Sequence, residues 1–264
     1  MGVSARVRSD PAGIVQVVVG AGTVPAGEWW EVTGAARGQS WPVRAGRGVS
    51  TGGQVVLADA LAPINSKVTY TVVYPSGAAS SAPVVRPWAG LGLLTDVVGG
   101  GAVDLLWQGE DQRDLDQRVT AHEVAGRPTP VLVFDPVMGA GTLSLTARTA
   151  GAATGAMLAL RGRPVVVALF HNPAHCHQCR RGACDIDLVT VMALTSVSHK
   201  RTRRADVAER VWTLKGTLAS VPEADRALGV STWDDLDAAR LTWDQVGALH
   251  LDWDGFDRTI WQEV

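Results

Sequence analysis

From residue 5 to residue 87, apolar and polar positions alternate in short runs at 13–19, 28–32, 41–44, 54–60, 67–74 and 82–86, with turn residues between them. A period of two puts successive side chains on opposite faces of a strand, and such runs at regular spacing predict a β-sandwich. No ten-residue stretch here has helical periodicity with a start signal. Gly46, Gly48, Gly52, Gly53 and Gly77 fall where turns are needed. Gly90, Gly92 and the triplet Gly99-Gly100-Gly101 then predict a hinge over 88–100. Strand patterns resume at 103–107, 119–123, 129–134, 141–148, 164–170, 188–198 and 208–220. Between them, residues 150–160 are rich in Ala and carry Met157, Leu158 and Leu160, which predicts one helix with Thr149 as N-cap and Gly162 just past its end. A single helix among antiparallel strands predicts a second all-β sandwich, not a βαβ chain. From Thr232 on, Trp233-Asp234, Trp243-Asp244 and Trp253-Asp254 recur every ten residues, each Trp followed three positions later by an apolar residue. Three units of ten are too short for a propeller or solenoid, so 222–264 is expected to be an extended arm whose sticky face needs a partner surface.

Within the first sandwich, the Leu61-Ala62-Pro63 turn precedes a strand with Tyr70 near its start, followed by a turn at Gly77 and a last strand with Ser80 and Ser81. This order resembles the second half of a fibronectin type III domain. The resemblance covers about 80 residues and makes Tyr70 a structural residue. The expected organisation is a fibronectin-like sandwich over 1–87, a second sandwich with one helix over 88–221, and the acidic Trp-Asp arm over 222–264.

With 264 residues, the chain is long enough for two domains with spare chain at the ends. Hydrophobic residues at 46% supply enough material for burial to exclude disorder across the whole chain. The longest apolar stretch, 165–170, is far short of the roughly 20 residues that a membrane span requires, so no membrane span is expected. The N-terminus lacks the apolar segment of a secretory signal, which implies synthesis in the cytoplasm and three reduced cysteines. A net charge of −2 argues against general nucleic-acid binding, but it hides a division. Residues 222–264 carry ten acidic and three basic side chains, a net −7, which leaves +5 on the first 221 residues.

All three cysteines and three of the six histidines lie between His171 and Cys184. Zinc takes four N or S ligands at tetrahedral corners, and Cys176-x2-Cys179 is a tight chelating turn that supplies two of them. Cys184 is a third. His171 is favoured as the fourth over His175 and His177, which flank Cys176 and diverge from it. The expected group is a structural Zn2+; the bland alternative is a polar hairpin tip with free thiols. Catalytic zinc is disfavoured, because the His-x-Glu with Pro-Cys-x-x-Cys of nucleobase deaminases and the His-Glu-x-x-His of metalloproteases are both missing. No nucleophile elbow or phosphate loop occurs either. Asp111, Asp114 and Asp116 lack calcium-loop spacing and are expected in a solvated hairpin loop. Lys200, Arg201, Arg203 and Arg204 form a basic knot between two strands, suited to phosphates or to an acidic neighbour such as the tail of another subunit. Without interleaved aromatics it is a poor sign of specific nucleic-acid binding.

One further set of residues carries a family resemblance. It comprises Ala125-Gly126-Arg127-Pro128-Thr129-Pro130-Val131, Asp135-Pro136, Gly141-Thr142-Leu143-Ser144-Leu145, Gly162-Arg163-Pro164-Val165, the cysteine loop, Leu194 through His199 and Glu209 through Leu214, followed by the Trp-rich tail. In this order the chain resembles the minor tail proteins of long-tailed phages that infect actinobacteria. The resemblance implies a tail-tube and distal-tail-like sandwich over about 100–221, assembly into a trimeric or hexameric ring around a channel, and a place at the virion tail tip. It also implies neighbours among tail tube, tape measure and hub, and no catalytic residues. Trp233, Trp243 and Trp253 are then expected to dock on a neighbour, with Lys200, Arg201, Arg203 and Arg204 as acceptors for the acidic arm. The rival reading is a host-receptor or polysaccharide-binding module.

Overall fold

The six alternating runs of the N-terminal region overlap six of its eight described strands, and β1 and β7 complete the set: β1 (Val3–Val7), β2 (Val15–Val19), β3 (Trp29–Ala36), β4 (Gln39–Val49), β5 (Val55–Asp59), β6 (Lys67–Tyr74), β7 (Gly77–Ser80) and β8 (Val84–Val85). The structure, a computed structural model, describes residues 2–9, 11–97, 101–115, 119–134, 141–162, 166–202, 208–219 and 242–248. One antiparallel sheet has the order β1-β2-β5; the other runs β4-β3-β6-β7, with β8 also on β6. The inward members of each alternation, Val15, Val17 and Val19 from β2, Trp30 and Val32 from β3, and Val68, Tyr70 and Val72 from β6, form the core between the sheets. Strand β1 was not among the expected runs, because its inward residues Val3, Ala5 and Val7 are few and small. The β3–β4 hairpin turns on Arg37 (φ 48) and Gly38 (φ 81), and positive φ at both central residues matches the twist of the flanking strands.

Two buried polar groups brace this sandwich. The Asp59 carboxylate accepts bonds from Tyr70 Oη (2.8 Å), Trp41 Nε1 (3.0 Å) and the Leu61 N–H (2.9 Å). Burial pushes its carboxyl above the usual carboxylate range, against the opposing pull of those donors and of Arg86. Arg86, completely buried, donates to the carbonyls of Ala12, Ala60 and Ala62. Its guanidinium carbon also lies 4.6 Å from the ring centre of Phe170.

The chain continues through β9 (Gly92–Asp96), β10 (Ala102–Asp114), β11 (Val119–His122), β12 (Val131–Phe134), β13 (Thr142–Thr149), α1 (Ala152–Arg161), β14 (Val166–His171), α2 (His177–Arg181), β15 (Val189–Arg201) and β16 (Arg210–Leu218). Six of the strands close into a barrel in the order β10-β13-β16-β15-β14-β9. Where the sequence led to a second open sandwich, the sheet therefore closes on itself. Its interior is filled by Leu94, Leu105, Leu145, Leu169, Met192 and Trp212, and Met157 and Leu160 of α1 pack against them.

The segment read as a hinge contains β9, a barrel strand buried along its whole length. It is buried on both faces because Leu94 points into the barrel while Leu93 packs outward with Leu61, Ile64, Phe170 and Val191. A strand covered on both sides loses the alternation by which it would be recognised. Asp111 and Asp114 are not in a loop: β10 resumes its pairing with β13 after a register shift and continues to Asp114, and Asp116 lies outside the described residues. Helix α1 starts from Gly151, without a side-chain cap. Thr149 instead ends β13, where its hydroxyl accepts from Trp212 Nε1 (2.8 Å) and bonds Thr154 Oγ1 (2.8 Å).

The antiparallel pair β11–β12 forms a separate two-stranded sheet with Val119, Leu132, Val133 and Phe134 exposed. By contact density, residues 1–221 form one unit and 222–264 another. Within the latter, the described residues form a short helix, α3 (Trp243–Ala248). Thr242 caps it: its hydroxyl accepts the Gln245 N–H, and Gln245 Oε1 accepts the Thr242 N–H.

Candidate metal centre

Residues 172–188 connect β14 to β15 and contain the cysteine motif. Cys176 has extended backbone and caps α2, its sulfur accepting the Cys179 N–H at 3.3 Å. After one turn the chain reverses at Gly182, whose φ of 71 lies in the left-handed region. The Gly182 N–H bonds Cys179 O and the Ala183 N–H bonds Gln178 O, the paired C-terminal bonds that such a glycine permits. This reversal brings Cys184 back beside Cys176. His171 arrives from the end of β14, where its N–H bonds Leu188 O.

The four ligand atoms of His171, Cys176, Cys179 and Cys184 all lie within 4.8 Å of one another. His171 Nε2 is 3.3 Å from Cys179 Sγ and 3.5 Å from Cys184 Sγ, and Cys176 Sγ is 3.8 Å from Cys184 Sγ. A tetrahedral ion with metal–sulfur bonds of about 2.3 Å and a metal–nitrogen bond of about 2.0–2.1 Å has S···S edges of about 3.8 Å and N···S edges of about 3.6 Å. These three separations are close to such ligand edges, and the cysteines are free thiols. The cluster can hold a metal ion.

Electrostatics agree with that capacity. Burial raises Cys179, as do its bonds to and charge repulsion from Cys176 and Cys184, and together they push its thiol up to about 12. Three sulfurs this close cannot all carry charge unless a cation lies among them. At Cys176, burial raises the thiol, but hydrogen bonds from the Cys179 and Gln178 backbone and from the neighbouring thiols outweigh it, and the net shift is downward. Burial lowers His171, helped by the positive charges of Arg113 and Arg37 and opposed by Asp111. The neutral imidazole, the ligating form, is thereby favoured.

The partners around this cluster come from distant parts of the chain. Arg37 Nη2, at the tip of the β3–β4 hairpin, donates to Cys179 O at 3.1 Å. Arg113, on β10 between Asp111 and Asp114, is ion-paired to Asp111 (3.2 Å) and Asp187 (3.5 Å) and donates to Thr190 Oγ1 (3.2 Å). With His171 and Ile186 it lines a recess of about 180 Å3. Buried Asn172 donates to Gly90 O (2.6 Å) and accepts from the Ala174 N–H and from Asn65 Nδ2, both at 3.0 Å. Its position directly after His171 was the one available sequence signal. Arg37 had none, lying 142 residues from Cys179.

The remaining candidates are placed as follows. His175 and His177 are exposed and outside the cluster. Lys200 and Arg201 are exposed at the end of β15, while Arg203 and Arg204 lie outside the described residues. Arg201 is directly opposite Arg210 of β16. Trp243 is 70% exposed in the first turn of α3, whereas Val246, three positions on, is buried, so the two do not present one shared apolar face. Trp233 and Trp253 lie outside the described residues. Among the described residues, no helix is long and apolar enough to cross a membrane. No protein-family model matches the chain, and no curated protein matches it.

Proposed function

We propose that this protein is a non-enzymatic structural component of a phage tail tip. It would join or form a trimeric or hexameric ring at the distal end of the tail tube and dock onto tube, tape-measure or hub proteins. The observation that carries this reading is the spatial grouping of the resemblance-bearing residues. The segment Gly141 to Leu145, the segment Leu194 to His199 and the segment Glu209 to Leu214 are far apart in sequence, yet they fall largely on β13, β15 and β16. These strands are consecutive neighbours in the barrel, with Leu145 opposite Leu214 and His199 opposite Trp212. Three of the segments that carry the resemblance thus share one packing unit. The β1-β2-β5 and β4-β3-β6-β7 sheets support the fibronectin type III-like assignment of the first domain.

Barrel closure removes the free strand edges through which an open sandwich would join a ring. We therefore assign the inter-subunit contact to the β11–β12 ribbon, where Leu132 and Phe134 are 53% and 61% exposed. A two-stranded ribbon is marginal alone in water, and a neighbouring subunit would cover it. The acidic arm would dock in trans, anchored by Trp233, Trp243 and Trp253 and drawn by charge to Lys200, Arg201, Arg203 and Arg204. At the cysteine cluster the ion is read as a structural Zn2+, on the ligand set and on the edge lengths. Electron microscopy and light scattering of the purified chain, alone and with tail-tube protein, test the assembly. Rings or co-assembled tails are expected; a chain that stays monomeric in both settings refutes the reading.

One observation favours a polysaccharide-binding role instead: Trp29 is 49% exposed on a rigid sheet, directly opposite the exposed Val49. Binding to host cell-wall polysaccharide that is lost in Trp29→Ala would support that role over the ring.

A further inference from the structure

We propose that the metal knuckle is the clasp that seats the sandwich on the barrel, so that metal occupancy sets the rigidity of the junction between them. The inference rests on the metal reading of His171, Cys176, Cys179 and Cys184.

The connection over 172–188 has little core of its own. Asn172, Pro173, Cys179 and Leu188 are its buried residues, and most of the remainder is exposed. Its internal order therefore depends on α2, the Gly182 reversal and the four ligands. Yet this weakly packed segment supplies one side of the domain contact. Leu188 is buried as a member of the sandwich core. The Leu188 N–H donates to Gln39 Oε1 at 3.4 Å, and Arg37 Nη2 bonds Cys179 O at 3.1 Å. That carbonyl, which also accepts the Gly182 N–H, belongs to the last turn of α2, where the negative end of the helix favours a cation. On the neighbouring side, Asn65 Nδ2 reaches Asn172 Oδ1. The tip of the β3–β4 hairpin thus grips a loop whose shape the metal ligands define, at the backbone of a ligand residue.

A second set of contacts does not involve the loop. Arg86 over Phe170, and Leu61 and Ile64 against Leu93 and Val97, join the sandwich to the outer wall of the barrel. Loss of the metal is therefore expected to open the junction at Arg37, Gln39 and Leu188 while leaving it closed at Ile64 and Phe170. The coupling is reciprocal by linkage: a contact that holds the metal-bound shape of the loop also raises metal affinity.

Hydrogen exchange read by mass spectrometry on the full chain, before and after chelation with zinc content measured in parallel, tests this. After zinc loss, exchange is expected to rise about tenfold or more in peptides covering both 36–41 and 172–188, and to stay unchanged over 61–64. Arg37→Ala is expected to keep one zinc per chain when saturated, with affinity roughly three- to tenfold weaker, and to speed exchange over 36–41 without chelation. That variant decides the matter even if the metal-free chain unfolds. Exchange over 36–41 that ignores zinc, or an unchanged zinc affinity in Arg37→Ala, overturns the clasp and leaves the metal reading standing. A chain that binds no zinc removes both.

Discussion

Replacing Arg86 by Met probes the junction from its metal-independent side. The guanidinium is wholly enclosed, with Nε and Nη2 on Ala12 O at 2.9 and 2.6 Å, and Nη1 on Ala60 O and Ala62 O at 3.0 and 2.8 Å. A buried ionic side chain can often be exchanged for an apolar one at little cost, provided that its partners are exchanged too. Here the three hydrogen-bond acceptors are backbone carbonyls, which no side-chain substitution removes, and the charge also acts on the Asp59 carboxyl. Met fills much of the volume but leaves three buried acceptors without donors, at about 1–3 kcal/mol each, and forfeits the contact with Phe170, worth about 1–2 kcal/mol when desolvated. The sum is on the order of 5 kcal/mol after partial relaxation, a large share of the roughly 5–15 kcal/mol that holds a typical fold together. For a unit of this size each kcal/mol moves the midpoint by about 2–4 °C, so Arg86→Met should melt about 10–20 °C lower. Thermal and urea unfolding followed by circular dichroism measure this, with Arg86→Lys expected in between because an ammonium keeps the charge but not the planar fork. A Met variant within about 1 kcal/mol of the parent would refute the claim that these carbonyls depend on Arg86.

Other substitutions separate the remaining elements. Gly182→Ala forces a Cβ into the left-handed region at φ 71, a strain of roughly 1–2 kcal/mol that should appear as about five- to thirtyfold weaker zinc binding in a competition titration. Tyr70→Phe strips Asp59 of one of its three donors and should cost about 1–3 kcal/mol in urea unfolding. Because burial raises the folded-state pKa of Asp59, its contribution is complete below the unfolded value of about 4 and declines as pH rises through the folded value. Asp59→Asn should flatten that part of the stability–pH curve, and an unaltered slope would assign it to other groups. Leu132→Ser with Phe134→Ser, both at exposed ribbon positions, should leave the melting temperature within about 2 °C while abolishing ring formation; rings that persist would move the contact elsewhere.

The sequence was most legible where one face of an element meets solvent. β2, β3 and β6 were readable because Val15, Val17 and Val19, or Val68, Tyr70 and Val72, alternate with less buried neighbours, among them the polar Gln16, Thr69 and Thr71. β9 was not, since Gly92-Leu93-Leu94-Thr95-Asp96 is enclosed on both sides and its glycine and flanking triplet mimic a linker. Closure of the barrel was illegible for a related reason: it depends on β9 pairing with both β10 and β14, and a strand that goes unrecognised leaves the sheet open. The metal ligands were readable because Cys-x2-Cys and the distances to His171 and Cys184 are local, within fourteen residues. The surroundings of those ligands were not, since Arg37 and Arg113 reach the ligand residues, and Asn65 the adjacent Asn172, across the fold, and nothing in their own sequence neighbourhoods names a cysteine. Local chemistry is written in spacing, whereas the second layer around it depends on which strands become neighbours. Arg113 shows the difference most clearly. As one charge in a run from Glu110 to Arg118 it is indistinguishable from a solvated surface residue, and only the continuation of β10 beyond its register shift brings it to Thr190 and Asp187, beside His171.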